Sequence, residues 1–131
     1  MSDEQAVSLE DVVLIHSAAI SRYGGASGIR DAGSLEAAVA RPGMSFDGTE
    51  MFPGPFAKAA ALMESSIQRH PFVDGNKRTG VASAVYLLRR HGHRLAGTSN
   101  AQLVELALGV AAHRMGDEEL TRWFEAHAEP A

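Results

Sequence analysis

The chain predicts an all-α fold, a compact bundle of about six helices carrying one small β-hairpin. Three observations lead there. Apolar residues recur at three- and four-residue spacing through most segments. Helix start and stop signals punctuate the sequence at intervals suited to short helices. A single Asp-Gly pair lies between two short apolar runs. At 131 residues the chain reads as one domain over 1–131, long enough to bury a core without disulfides or a structural metal.

The elements follow in order. Ser8 with Asp11 has the form of a capping box and opens a helix whose apolar face runs Leu9, Val12, Val13, Ala19 and Ile20, ending near Gly24-Gly25. A glycine-rich loop runs to Gly33. Ser34 is the expected cap of a short helix, Leu35 to Ala40, stopped by Pro42. Pro55 starts a third helix to Arg69, with Phe56, Ala60, Met63 and Ile67 on one face and His70 extending it. The fourth, Asn76 to Arg90, carries Val81, Ala84, Val85 and Leu88 inward and stops at Gly92. Ser99 with Gln102 caps a fifth helix through about Ala112. Asp117 caps a sixth, with Leu120, Trp123 and Phe124 facing inward. Between the second and third helices, Phe46-Asp47-Gly48-Thr49-Glu50-Met51-Phe52 reads as a hairpin, since both central positions of its turn need positive φ. A plain surface loop is the competing reading.

Composition narrows the function. Apolar residues make up 45% and charged residues 21%, an ordinary soluble balance. A net charge of −4 and a pI near 5.8 argue against a general nucleic-acid binder. Cysteine is absent, which removes disulfides and thiolate metal sites. The first residues are acidic without an apolar core, and no segment has the length of a membrane span. A soluble cytoplasmic protein is expected.

The informative run is His70-Pro71-Phe72-Val73-Asp74-Gly75-Asn76-Lys77-Arg78-Thr79-Gly80. A helix start carries partial positive charge and favours acidic residues, so Lys77 and Arg78 have the wrong sign there unless an anion joins them. His70 is placed to act as a general base toward an attacking hydroxyl. Asp74 is the one nearby carboxylate, and a hard divalent ion on a polyphosphate takes one or two. Gly75 and Asn76 lead into the helix, where free N–H groups form an anion nest, and Lys77 and Arg78 add charge against phosphate oxygens. Each part alone has a simpler meaning: a helix-end histidine, a capped turn, two solvated cations at a cost of roughly 0.3–1 kcal/mol each. Their conjunction points to phosphoryl or nucleotidyl transfer. Phe72 is assigned to the core as the anchor of this turn.

This run resembles the signature of the Fic/Doc superfamily, His-Pro-Phe-x-Asp-Gly-Asn-x-Arg, and a weaker likeness extends from Leu14 to Leu95, including Gly28-Ile29-Arg30-Asp31. Adenylyl transferases of the Fic type have glycine after the motif asparagine and a second arginine three residues beyond the first. Here those places hold Lys77 and Val81, as in the Doc, or death-on-curing, branch. The resemblance implies a toxin that phosphorylates a hydroxyl of translation elongation factor Tu and is restrained by a separate Phd-like antitoxin. It also implies roles. His70 is the base for a target threonine, and Asp74 holds Mg²⁺. Gly75 and Asn76 form the cradle through backbone and carboxamide. Lys77 and Arg78 bind the phosphates of ATP or another nucleoside triphosphate. Phe46 to Phe52 form the flap that docks the target. A nucleotidyl transferase on the same scaffold and a non-catalytic binding subunit stand as alternatives.

Other patterns are set aside. Gly75 to Gly80 begins like a phosphate-binding loop, but Val81-Ala82 follows where Lys-Ser/Thr is required. His91-Gly92-His93 flanks a helix stop and reads as one, not as a metal pair. His16, His113 and His127 show no spacing pattern and are taken as surface or boundary residues. Thr121 to Glu125 approaches the family's inhibitory motif, but Ala126 follows, so the sixth helix is read as core.

Overall fold

A computed structural model describes residues 5–131; Met1 to Glu4 lie outside the described residues. Helix α1 (Leu9–Tyr23) opens on the expected box, with Ser8 Oγ accepting the Asp11 N–H at 3.1 Å and Asp11 returning the bond at 2.9 Å. It stops at Gly24, whose φ of 84° leaves the helical region. Helix α2 (Ala32–Ala40) starts earlier than expected. Asp31, not Ser34, is its cap: Asp31 Oδ1 accepts the Ser34 N–H at 3.1 Å. The Asp31 N–H is tied to Pro71 O at 3.1 Å, which fixes it in the extended conformation that a cap needs. Pro42 does not end the helix abruptly, because a 3₁₀ turn, Arg41–Gly43, carries the chain on and buries that proline.

The hairpin reading holds over the loop reading. Strands β1 (Ser45–Phe46) and β2 (Thr49–Glu50) pair antiparallel, and Asp47 and Gly48 take φ of 53° and 78°. Its foot is rooted by Lys58, which donates to Glu50 and to Phe52 O at 2.6 Å each. Phe52 is buried beneath the Arg41 guanidinium, 4.8 Å from its ring centroid. Phe46 at the other end is 77% exposed. Arg41 also bridges Glu64 and Asp117 at 2.7 Å each, tying the 3₁₀ turn to two more helices.

Helix α3 (Gly54–Gln68) is the axis. Ala59 to Met63 are all buried, so the helix is apolar nearly all round and is packed on every side. Contrary to expectation, His70 does not extend its face; the residue has left the helix, with φ at 47°, and is exposed. Helix α4 (Asn76–Arg90) lies against α3 and stops before Gly92, which takes φ of 85°. After it come β3 (His93–Leu95), α5 (Asn100–Ala111) with the expected Ser99–Gln102 box, α6 (Asp117–His127) and β4 (Ala128–Pro130). The β3–β4 pair, in register His93↔Pro130 to Leu95↔Ala128, is a second small sheet that the sequence did not announce. Three-residue strands carry too little period-two pattern to stand out.

Asp117 does not cap α6. Its carboxylate is committed to Arg41, and Glu119 instead reaches back to the Gly116 N–H at 3.2 Å. Leu120 and Phe124 are buried as expected, while Trp123 is half-buried and stacked on His127 at 3.9 Å. His93 leans on Phe56, and no group of three or more metal-type ligands occurs among the described residues. Val12, Leu35, Leu62, Leu88, Val110 and Leu120 put all six helices into one apolar cluster. No described helix is long and apolar enough to cross a membrane.

The α3–α4 seam depends on Gly80. A Cβ there would sit 2.9 Å from Ile67 Cγ1 and 3.3 Å from Met63 O. Gly80→Ala gains helix propensity of about 1 kcal/mol but forces the helices apart, and we expect net destabilisation of about 1–2 kcal/mol in urea unfolding. A more stable variant would contradict this packing.

Candidate active site

The turn between α3 and α4 is held by a second loop, Gly24 to Asp31, laid antiparallel beside it. Val73 N–H donates to Gly28 O at 3.0 Å, Arg30 N–H to Pro71 O at 2.7 Å, and Ile29 bridges Phe72. The Arg30 side chain donates through Nε to His70 O at 2.6 Å and through Nη2 to Arg69 O at 2.9 Å. It thereby satisfies carbonyls left open at the end of α3 and holds His70 in its left-handed conformation. The His70 side chain projects from this bend rather than lying along a helix.

Phe72 is the anchor, 1% exposed. Its ring stacks on His16 with centroids 3.7 Å apart and planes 5° from parallel. Its peptide groups are read by Asn76, whose Oδ1 accepts the Phe72 N–H at 2.9 Å and whose Nδ2 donates to Phe72 O at 3.0 Å. The Asn76 carboxamide is therefore committed to the turn. Its backbone N–H and the second N–H of its carboxamide form no hydrogen bond among the described residues.

Asp74 comes next, exposed, with each carboxylate oxygen accepting one backbone N–H: Oδ2 from Ala26 at 3.2 Å and Oδ1 from Gly75 at 2.9 Å. The Ala26 N–H above all, then that of Gly75 and the Arg78 charge, hold its pKa below the ordinary 3.8. Its ionisation adds stability above the unfolded carboxylate's range, and that contribution is lost as pH falls through the lowered folded value. An ionised carboxylate with lone pairs still free suits a hard cation that draws its remaining ligands from phosphate and water.

Gly75, at φ 76°, reverses the chain into α4. A Cβ there would meet Ile20 at 3.2 Å and the His16 ring at 3.7 Å. No side chain caps α4, so the N–H groups of its first turn are left without intrahelical partners. Lys77 and Arg78 are exposed beside them and join no ion pair among the described residues. Two cationic residues and the open N–H groups at the positive end of a helix lie within one helical turn, with an ionised carboxylate on the adjoining turn. Such a grouping has the chemistry to attract an anion.

His70, Asp74, Gly75, Asn76, Lys77 and Arg78 thus share one turn and helix start. The hairpin is rooted elsewhere, at the beginning of α3, and no hydrogen bond joins it to the turn among the described residues. The sequence reading missed three contributors. His16 is not a surface residue; it is 5% exposed and its Nε2 contacts Asp74 O at 2.8 Å. Ala26 and Arg30 act through N–H and guanidinium groups. Of these only His16 carried a signal: it lies four residues from Ile20 on a helix face turned inward.

Three outcomes check this geometry. The Asp74 carboxyl should titrate below 3.8 by carbon-detected NMR. Gly25→Ala would place a Cβ 2.7 Å from Asp74 Oδ2 and should move that midpoint upward. His16→Ala should destabilise the fold by about 2–3 kcal/mol, through the emptied space against Phe72 and the lost bond. A neutral effect would rule out His16 as a prop of the turn.

The chain is similar in sequence to known proteins. Residues 6–88 match the model of the Fic/DOC family. The chain is 40% identical over 105 residues to "Toxin Doc" of Mycolicibacterium smegmatis, covering 80% of this chain and 78% of that protein. It is 34% identical over 105 residues to "Protein kinase doc" of Escherichia phage P1, covering 80% and 81%. The chain belongs to the Fic/DOC family, on its Doc-like branch.

Proposed function

We propose that this chain is a Doc-type toxin and protein kinase that moves the γ-phosphate of a nucleoside triphosphate, ATP in the first instance, to a threonine hydroxyl of elongation factor Tu. The observation that carries the reading is the uncapped start of α4 with Lys77 and Arg78 beside it and Asp74 on the adjoining turn. Its likeness to a relative named as a protein kinase supports phosphoryl over nucleotidyl transfer.

His70 takes the hydroxyl proton, the oxygen forms a bond to the γ-phosphorus, and the bond from that phosphorus to the β-bridging oxygen breaks. The electron pair leaves with the nucleoside diphosphate. The N–H groups of Asn76, Lys77 and Arg78, with the two cationic side chains, hold the phosphates where charge builds. Asp74 would hold Mg²⁺, which supplies further charge neutralisation on the phosphates. Lys77 and Val81 favour γ- over α-transfer: a lysine at this helix position crowds a diphosphate seated on the N–H groups, and Val81 offers no second guanidinium to anchor one.

The hairpin with exposed Phe46, Met51 and Met44 would receive the target segment along its strand edge. Restraint falls to a separate antitoxin chain. In α6, Thr121 Oγ1 donates to Asp117 O at 2.7 Å and Phe124 is buried, which supports a structural role for this helix. The protein would act in the cytoplasm, beside its target.

Purified elongation factor Tu, Mg²⁺ and ATP labelled at either end test the reading. Label should arrive from the γ-position; transfer of α-label would mean nucleotidyl transfer and contradict it. His70→Ala should lower the rate by roughly 10²-fold or more with nucleotide affinity kept. Lys77→Gly should weaken both nucleotide binding and phosphoryl transfer, and full activity in that variant would undo the choice of branch.

A further inference from the structure

We propose that Tyr23 is a positioning residue for Arg78, setting the guanidinium for phosphate before any nucleotide arrives; this rests on the nucleotide-binding reading of the site. Arg78 Cζ lies 4.7 Å from the Tyr23 ring centroid. The two residues are far apart in sequence and meet only because α1 runs along the turn.

That meeting is built, not incidental. His16, Ile20 and Tyr23 are spaced four and three apart and fall on one face of α1. His16 contacts Asp74 O, Ile20 packs against Gly75, and Tyr23 continues the same strip to the first turn of α4. Gly24 then ends α1 with its N–H on Ile20 O at 2.8 Å, which fixes the helix at the residue that bears the ring.

The contact also has the right chemistry. Arg78 forms no direct ion pair among the described residues, although the Asp74 carboxylate feels its charge, and the helix dipole repels it. The face of an aromatic ring attracts the guanidinium without using its N–H edge, which stays free for a bidentate phosphate. Lys77 has no such rest. The two cations are therefore unequal before binding, with Arg78 alone resting on a ring. Arg22 lies 5.4 Å from the same ring and adds positive potential there. Tyr23 is 56% exposed, so it is not a core residue, and its loss should register in binding before stability.

Calorimetric titration of Mg·ATP into the full chain tests this. Tyr23→Ala and Tyr23→Leu should weaken binding roughly three- to ten-fold, while Tyr23→Phe, which keeps the ring, should stay within about two-fold. In an Arg78→Ala background Tyr23→Ala should have almost no further effect, because the ring acts through that side chain. The Arg78 Nε–H proton should be ring-shifted in the unaltered chain and lose that shift in Tyr23→Leu. Normal affinity in Tyr23→Ala, an equal loss in Tyr23→Phe, or an undiminished effect without Arg78 would each overturn the inference alone. No Mg·ATP binding by the unaltered chain would overturn the nucleotide reading and this inference together.

Discussion

The arrangement hangs on how Asn76 reads Phe72. One carboxamide satisfies both the N–H and the C=O of Phe72, at 2.9 and 3.0 Å, from a position four residues ahead. The same residue's ring is stacked on His16 and sunk into the core. A turn pinned through backbone and side chain together has little freedom left. From that fixed point Asp74 faces outward, Gly75 turns left-handed, and α4 starts with its N–H groups uncovered.

The site is held in place against its own local preferences. His70 occupies a left-handed conformation that costs a non-glycine residue about 1–3 kcal/mol. Lys77 and Arg78 oppose the dipole of α4 at roughly 0.3–1 kcal/mol each at an exposed position. The offset comes from the surrounding structure. Arg30 ties down the end of α3 with two charge-assisted bonds, and the paired loop Gly28 to Asp31 braces the turn. A polyphosphate bound as proposed would reverse the electrostatic part of that penalty, since it would bring the charge that the helix start lacks.

What was legible in the sequence was local. Both serine-led capping boxes, the Asp47-Gly48 turn with two positive φ values, the Gly92 stop and the burial of Phe72 all depend on neighbours within a few residues. What misled was competition over distance. Ser34 lost its cap to Asp31 because Pro71 had already ordered Asp31. Asp117 gave up its cap because Arg41 holds the carboxylate. His70 follows the period of α3, yet Arg30 draws its carbonyl off the helix path. The motif residues themselves stood out by type and spacing. Their supports did not: His16 and Ala26 approach Asp74 from 58 and 48 positions away, and no periodic pattern spans such a gap.

The central claim is that the start of α4 is a phosphate seat completed by Asp74. The direct measurement is a ¹H–¹⁵N titration of the full chain with Mg·ATP. The amides of Asn76, Lys77 and Arg78 should move most, with Gly75 and Ala26 following, and Asp74→Asn should weaken the response. Movement confined to other surfaces, with these amides still, would contradict it.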